Sequence, residues 1–211
     1  MQATPAPAAS PNAPVRPWVR WTRRGALALV GVLLGVASAW AVLRSNTAPG
    51  PASGPWHVSL LAGNADADPW TRARVALGGL LALNRSETMY YVATTDSDGR
   101  ALRTRCAYRV QGKPPAARWW SLTAYGDDFF LLPDPQGRHG LQGQAVELDA
   151  LGRFTLALGG VAPADPARRW LPTPGDRGLV LTLRVYQPAD ALRQQPQALD
   201  APRIERAGAC P

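Results

Sequence analysis

The sequence predicts a mainly β protein: a jelly-roll-like antiparallel β-sandwich that begins with a short amphipathic helix and is preceded by one transmembrane helix. Three observations carry this prediction. Many short apolar or alternating segments beyond residue 85 are separated by Gly, Pro and Asp turns, which is typical of sandwiches and jelly rolls. One segment with helical spacing starts at an Asp-Pro pair. An uncharged apolar run occupies residues 25–43.

The apolar run is long enough to cross a bilayer. At about 1.5 Å per residue, it reaches roughly 28 Å. Four arginines precede it without any acid among them: Arg16, Arg20, Arg23 and Arg24. Because positive charge is retained on the cytoplasmic side, we expect the N-terminus inside the cell. The sequence thus predicts a single-pass inner-membrane protein that contacts the lipid bilayer through residues 25–43 and carries a periplasmic domain.

A cleaved signal is the alternative for the same run. The pair Arg23-Arg24 loosely resembles a twin-arginine signal, and residues 37–39 (ASA) have the form of a cleavage site. The run exceeds the roughly 7–15 residues of a signal core, which favours an uncleaved anchor. In both cases the domain is exported.

Composition divides the chain into four parts. We expect a disordered basic tail at residues 1–24, the membrane helix at 25–43, a Pro/Gly/Ala linker at 44–55 and one domain at 56–211. The formal net charge is +8, and five of these charges come from arginines before the first acid. The remaining arginines are scattered among acids without a known nucleic-acid motif, so we expect no nucleic-acid partner.

The helix near the start of the domain is predicted from residue 68. Asp68 is a suitable N-cap and Pro69 a suitable first helical residue. Apolar residues then recur at helical spacing, so one face should pack inward, and the helix should fade near residue 83. These residues are Trp70, Ala73, Leu77, Leu80 and Leu81.

Strand patterns fill the rest of the domain. Segments 88–95 and 102–110, joined by a turn at 96–99, predict a β-hairpin. Within its second strand, Cys106, Tyr108 and Val110 should face inward. A turn is expected at 134–137 and a short helix at 188–193. Further strands are expected at 118–125, 129–132, 146–148, 154–158 and 179–186.

The strand at 118–125 carries the best candidate for a binding surface. Alternation places Trp120, Leu122 and Ala124 on one face, which we assign to the core. The opposite face holds Trp119, Ser121, Thr123 and Tyr125, with Arg118 and Asp127 at its ends. Such a row could hold a small polar or sugar-like ligand by stacking and hydrogen bonding. Cross-strand packing against a second sheet or the helix is the alternative.

A catalytic constellation is hard to find. His57 and His139 are the only histidines, which is too few for a cupin-type metal site, and we expect no metal and no cofactor. Phosphate-cradling Gly loops and nucleophile elbows are absent from the sequence. We therefore favour a non-catalytic envelope module that binds a ligand or an envelope protein, or a purely structural one. The alternative is a hydrolase-like enzyme, which requires Arg118, Asp127 and His139 to converge in one pocket.

The two cysteines, Cys106 and Cys210, suggest a disulfide because the domain is expected to be exported and the count is even. The bond would close a loop of about 100 residues, worth roughly 4–5 kcal/mol in the chain-entropy model. The alternative is a buried free Cys106 and a frayed Cys210.

Several segments together resemble a known family. They include residues 67–74 (ADPWTRAR), 87–91 (ETMYY), 95–102 (TDSDGRAL), 115–125 (PAARWWSLTAY) and 181–188 (LTLRVYQP). This pattern is similar to the bacterial domain-of-unknown-function family 1214 (DUF1214), in a short membrane-anchored form. The resemblance implies a β-rich, jelly-roll-like domain and carries no established activity. One departure is residues 138–140 (RHG), where relatives often have Arg-Tyr-Ser.

Overall fold

A computed structural model of the chain describes residues 17–44, 50–58, 63–77, 83–160, 162, 170–208 and 210. Contacts divide the chain into two units, Met1–Asn46 and Thr47–Pro211, and each is described by itself. Three predictions lie wholly or partly outside the described residues: the tail before residue 17, the first part of the linker at 45–49, and Leu80 and Leu81 of the helix.

The described part of the first unit is one long helix, α1 (Pro17–Arg44). Its segment Trp21–Leu43 is long and apolar enough to cross a membrane, and none of its most apolar window is buried. A core helix of a water-soluble domain would be mostly buried, so α1 could be a membrane anchor or a signal sequence. The predicted apolar helix is therefore present, with charged residues at its N-terminal end.

The second unit is mainly β. Its helices are α2 (Pro69–Leu77), α3 (Asp190–Gln194) and two short 3-10 turns at Gly143–Ala145 and Pro196–Ala198. Its strands are β1 (Ala52–Ser53), β2 (Trp56–Val58), β3 (Thr88–Ala93), β4 (Tyr108–Gly112), β5 (Ala117–Gly126), β6 (Gly140–Gln142), β7 (Phe154–Leu158), β8 (Trp170–Leu171), β9 (Leu179–Pro188) and β10 (Arg203–Arg206).

The strands form two sheets. The larger has the order β1-β2-β3-β9-β5-β6 and is antiparallel throughout. The smaller has the order β10-β4-β7-β8, in which only β7 and β8 are parallel. Alternate residues of both sheets join one hydrophobic cluster, in which the Trp120 and Phe154 rings lie 4.8 Å apart. The prediction of a mainly β domain with a preceding apolar helix is thus confirmed at this level.

The predicted hairpin of segments 88–95 and 102–110 is wrong. β3 pairs with β2 and β9, whereas β4 lies in the other sheet between β10 and β7. The turn itself is present, because the Asp96 carboxylate accepts backbone hydrogen bonds from Asp98 and Arg100. After the isolated bridge between Thr95 and Ala101, however, the chain leaves β3 and crosses to the smaller sheet. The predicted inward face is correct, since Cys106, Tyr108 and Val110 are all buried.

Two other predicted strands are also wrong. Residues 129–132 form a turn in which only Leu131 bridges to Tyr125, and residues 146–148 follow a 3-10 turn without strand pairing. Runs of three or four residues are too short for their apolar pattern to distinguish a strand from a loop. The strands predicted at 88–95, 118–125, 154–158 and 179–186, and the short helix near 190, are confirmed.

The start of α2 is as predicted, but its inward face is not. The Asp68 carboxylate accepts hydrogen bonds from the backbone of Trp70 and Thr71, at 2.9 and 3.1 Å. Trp70 and Leu77, however, remain 44% and 62% exposed. The two sheets already bury their apolar faces in one cluster, and the described residues of α2 add nothing to it.

The predicted disulfide is present. Cys106 and Cys210 are bonded across a sequence separation of 104. The bond ties the C-terminal segment, which follows β10, to the turn that precedes β4.

Candidate functional site

The face of the larger sheet that points away from the hydrophobic cluster carries the candidate site; we call it the aromatic face. Its members lie in register on three central strands. Trp119 of β5 and Thr88 of β3 both lie opposite Tyr186 of β9. Arg184, two residues before Tyr186, lies between Tyr90 and Ser121. Because strand residues alternate, the same strands contribute Leu181, Leu183 and Val185 to the core.

Two aromatic rings line a groove at one end of this face. The rings of Trp119 and Tyr186 lie 4.6 Å apart, tilted by 52°. The groove has a volume of about 250 Å³. Its lining is Leu83, Glu87, Thr88, Arg118, Trp119, Tyr186 and Gln187, so we call it the Trp119–Tyr186 groove.

The groove contains polar groups of every hydrogen-bonding type. Arg118 donates to the Gln187 side-chain oxygen at 3.1 Å. Gln187 has φ +46°, an uncommon backbone conformation for a residue other than glycine, and its N–H donates to the Glu87 carbonyl at 2.7 Å. The Thr88 hydroxyl is 1% exposed and has no hydrogen-bond partner among the described residues. Buried polar groups are normally hydrogen-bonded, so a Thr88 hydroxyl without a described partner marks a polar position beside the Tyr186 ring.

A half-buried arginine lies next to the groove. Arg184 donates to the Thr123 hydroxyl at 2.8 Å and to the Tyr125 hydroxyl at 2.6 Å, and its guanidinium lies 5.6 Å from the Tyr125 ring centre. Burial raises the pKa of the Tyr186 phenol, an effect that the positive charge of Arg184 partly opposes. At neutral pH the part of the aromatic face around Arg184 therefore presents this cation among neutral hydroxyls and rings.

The far end of β5 is different, because its charges are paired. Arg177 contacts Asp127 at 3.0 Å and also forms an ion pair with Asp128. Hydrogen bonding from Arg177 lowers the pKa of the Asp128 carboxyl, and the two carboxylates raise that of Arg177. This cluster joins the turn after β5 to the segment before β9.

The sequence-predicted site residues fall into two groups. Arg118 and Trp119 line the groove, and Ser121 and Tyr125 lie further along the same face, beside Arg184. Asp127 lies outside it, in the ion pair with Arg177. Arg118 and Asp127 are nine positions apart on an extended strand, on the order of 30 Å.

The enzyme alternative required Arg118, Asp127 and His139 to converge. His139 lies beside the C-terminal part of β5, where its carbonyl accepts the Ala124 N–H at 3.1 Å. Since Arg118 and Asp127 lie at opposite ends of the strand, the three side chains do not share one site. The neighbouring Arg138 forms an ion pair with Asp134, and its hydrogen bond lowers the pKa of the Asp134 carboxyl to about 2. The Arg138 guanidinium also lies 4.7 Å from the centre of the Trp170 ring.

Several residues of the aromatic face and its groove were not predicted as site residues, among them Thr88, Arg184, Tyr186 and Gln187. A signal for two of them exists in the sequence of β9, where Thr182, Arg184 and Tyr186 alternate with Leu181, Leu183 and Val185. That alternation predicts a polar aromatic row, but only the strand order places it beside Trp119. Among the described residues, no group of three or more His, Cys, Asp or Glu side chains could hold a metal ion.

These features define a class of protein: a mainly β domain of two sheets with an aromatic groove on one sheet, preceded by an apolar helix. Residues 87–190 match the family DUF1214, described as "Protein of unknown function". The resemblance drawn from the sequence is therefore confirmed over the segment from β3 to the start of α3, which includes the whole groove except Leu83.

Two solved structures are similar to this chain. The VPA0106 protein from Vibrio parahaemolyticus is 23% identical, with a TM-score of 0.55, over 68% of this chain and 36% of that one. An uncharacterized protein from Burkholderia cenocepacia is 20% identical, with a TM-score of 0.38, over 59% of this chain and 31% of that one. This chain therefore spans about a third of each, and the first likeness concerns the fold alone. No curated protein matches the sequence.

Proposed function

We propose that this protein is a membrane-anchored, non-catalytic module of the bacterial envelope, whose aromatic face binds a small sugar-like ligand. The observation that carries the proposal is the Thr88 hydroxyl, buried without a described partner in a groove lined by Trp119 and Tyr186. A ring stacked on the aromatic pair could supply the missing hydrogen bond.

The chemistry of the groove supports a polyhydroxylated ligand. A sugar presents an apolar ring face together with hydroxyls that both donate and accept hydrogen bonds. The rings of Trp119 and Tyr186 can stack on the apolar face of the sugar. The side chains of Arg118, Glu87 and Gln187 offer donors and acceptors for its hydroxyls. The volume of about 250 Å³ lies below the roughly 300–1,000 Å³ of sites for drug-sized molecules, so the groove suits one sugar ring.

Export to the periplasm is supported by two features of the chain. The apolar segment of α1 is preceded by arginines and not by acids, which favours a cytoplasmic N-terminus. The disulfide between Cys106 and Cys210 suits an oxidising compartment. An uncleaved α1 would act as a signal-anchor and hold the domain at the inner membrane.

The two sheets around one hydrophobic cluster further support a jelly-roll-like sandwich.

A saccharide-binding screen tests the ligand proposal. The full-length chain in lipid nanodiscs is screened by saturation-transfer NMR against neutral and acidic mono- and disaccharides. We expect binding of at least one, weakened about thirtyfold or more by Trp119→Ala, because a buried stacking aromatic is a common hot spot. The matched control is Phe130→Ala, which removes a ring that is 72% exposed beyond the other end of β5. Equal loss in both variants, or no saccharide bound, would contradict the proposal; a protein captured by crosslinking instead would favour an envelope partner.

Topology is tested separately. Alkaline phosphatase fused after residue 211 should be active in cells, and mass spectrometry should find a mature N-terminus upstream of Trp21. A mature chain that starts at Trp40 would show that α1 is a removed signal.

A further inference from the structure

Arg184 differs from the other half-buried arginines in the described part of the chain. Six of them form an ion pair with an aspartate. These pairs are Arg103–Asp176, Arg138–Asp134, Arg153–Asp149, Arg177–Asp127, Arg193–Asp190 and Arg206–Asp96. Among the described residues, Arg184 donates hydrogen bonds only to the hydroxyls of Thr123 and Tyr125, and it forms no ion pair. The protein thus keeps one guanidinium partly out of water without a counter-charge in this part of the chain.

A polar group beside Arg184, the Thr182 hydroxyl, also lacks a partner among the described residues. Thr182 lies on the same face, two residues earlier on β9 and directly opposite Thr123. Its hydroxyl is buried, with the residue 2% exposed, and has no hydrogen-bond partner among the described residues. A free donor or acceptor and an uncompensated cation therefore occupy neighbouring positions on the aromatic face.

We infer that Arg184 forms an anion subsite on the aromatic face, which takes a carboxylate carried by the ligand. A half-buried cation without a counter-ion is costly, and a carboxylate on the planar guanidinium would offset that cost through charge-assisted hydrogen bonds. This inference rests on the proposed binding function of the same face. It specifies the ligand as an acidic sugar.

The spacing along the strands sets the size of that ligand. Arg184 lies opposite Ser121, two residues from Trp119, and its guanidinium extends to Thr123, four residues from Trp119. At about 3.3 Å per residue, these positions are roughly 7 and 13 Å from the groove. One sugar ring in the Trp119–Tyr186 groove and a carboxylate on its neighbouring ring fit this distance. The ligand is therefore an acidic disaccharide unit or a longer acidic chain.

The test compares a charged disaccharide with its neutral ester. Digalacturonic acid and its dimethyl ester are titrated calorimetrically against the full-length chain in nanodiscs at constant ionic strength. We expect the acid to bind at least tenfold more tightly. Arg184→Gln should reduce this preference to within about threefold, and Arg184→Lys should keep part of it. Arg109→Gln, the same substitution at an exposed position of β4, should leave it unchanged.

The outcomes separate this inference from the proposed function. Equal affinity for acid and ester, with loss of both in Trp119→Ala, would overturn the anion subsite and keep the saccharide site. Binding of neither would overturn both. Acetate that binds as tightly as the disaccharide, and only with Arg184 present, would confirm the subsite and assign it to a free carboxylate. If Arg184→Gln does not fold, the acid-to-ester ratio of the native chain at low and high salt decides.

Discussion

Each face of β5 carries a tryptophan, and the two side chains have different environments. Trp120 is 5% exposed, its ring packs against Phe154, and the backbone of Gly143 lies directly on its indole. Trp119, the next residue along the chain, is half-buried and contacts Tyr186 beside a groove. Trp120 packs in the core, whereas Trp119 lines the same groove as the Thr88 hydroxyl, which has no hydrogen-bond partner among the described residues.

The comparison separates stability from binding on a single strand. Residues on the inner face are closely packed among apolar neighbours. Their replacement should therefore lower the free energy of unfolding. Trp119 and Tyr186 on the aromatic face are only half-buried, and their replacement should mainly lower the affinity for the ligand.

Replacing each tryptophan in turn gives the largest contrast. Trp120→Ala should lower the free energy of unfolding by about 3–5 kcal/mol, since it leaves a cavity in the core. Trp119→Ala should lower it by only about 1 kcal/mol, the scale of one aromatic pair. Denaturant unfolding followed by circular dichroism measures both. Similar losses in the two variants would show that the aromatic face is part of the core.

This contrast was largely predictable from the sequence, whereas the groove was not. Alternation along 118–125 assigns Trp120 inward and Trp119 outward from local pattern alone. The groove needs Tyr186 and Thr88, which reach Trp119 only because β9 inserts between β3 and β5. Strand order depends on pairings between residues far apart in sequence, and the wrong hairpin at 88–110 shows that local turn signals do not decide them. Likewise, the sequence shows that Asp127 is charged, but it does not show that Arg177, fifty residues later, is its ion-pair partner.

A glycine on the inner side provides the next test. A Cβ at Gly143 would lie 2.2 Å from the indole nitrogen of Trp120, a ring with no space to move. Gly143→Ala should therefore cost about 1–3 kcal/mol of unfolding free energy through overpacking, while saccharide binding by the folded fraction stays unchanged. Thermal and denaturant unfolding measure the loss. Gln144→Ala, at the exposed neighbouring position, should change the stability by less than about 0.5 kcal/mol.

The titration of Tyr186 tests whether the aromatic face is partly desolvated. Burial raises the pKa of its phenol above the usual value of 10.0. A phenol that holds its proton more tightly in the folded state stabilises the fold below pH 10, and this contribution is lost as the pH rises through the folded pKa. The ultraviolet titration of the native chain minus that of Tyr186→Phe should show a transition above pH 10. A difference transition at or below pH 10 would mean that the ring is solvated and the groove open to water.

The smallest expected effect belongs to the paired end of β5. Arg177 lowers the pKa of Asp128, so this carboxylate stabilises the fold above about pH 3.8, and the contribution is lost as the pH falls through the folded pKa. Asp128→Asn should flatten the acid side of the stability profile slightly. The difference from the native chain should shrink in 1 M salt, because the pair is exposed and screened. Saccharide affinity at neutral pH should not change. If it falls as it does in Trp119→Ala, the ligand extends to the far end of the strand, and the division between the paired end and the Trp119–Tyr186 groove is wrong.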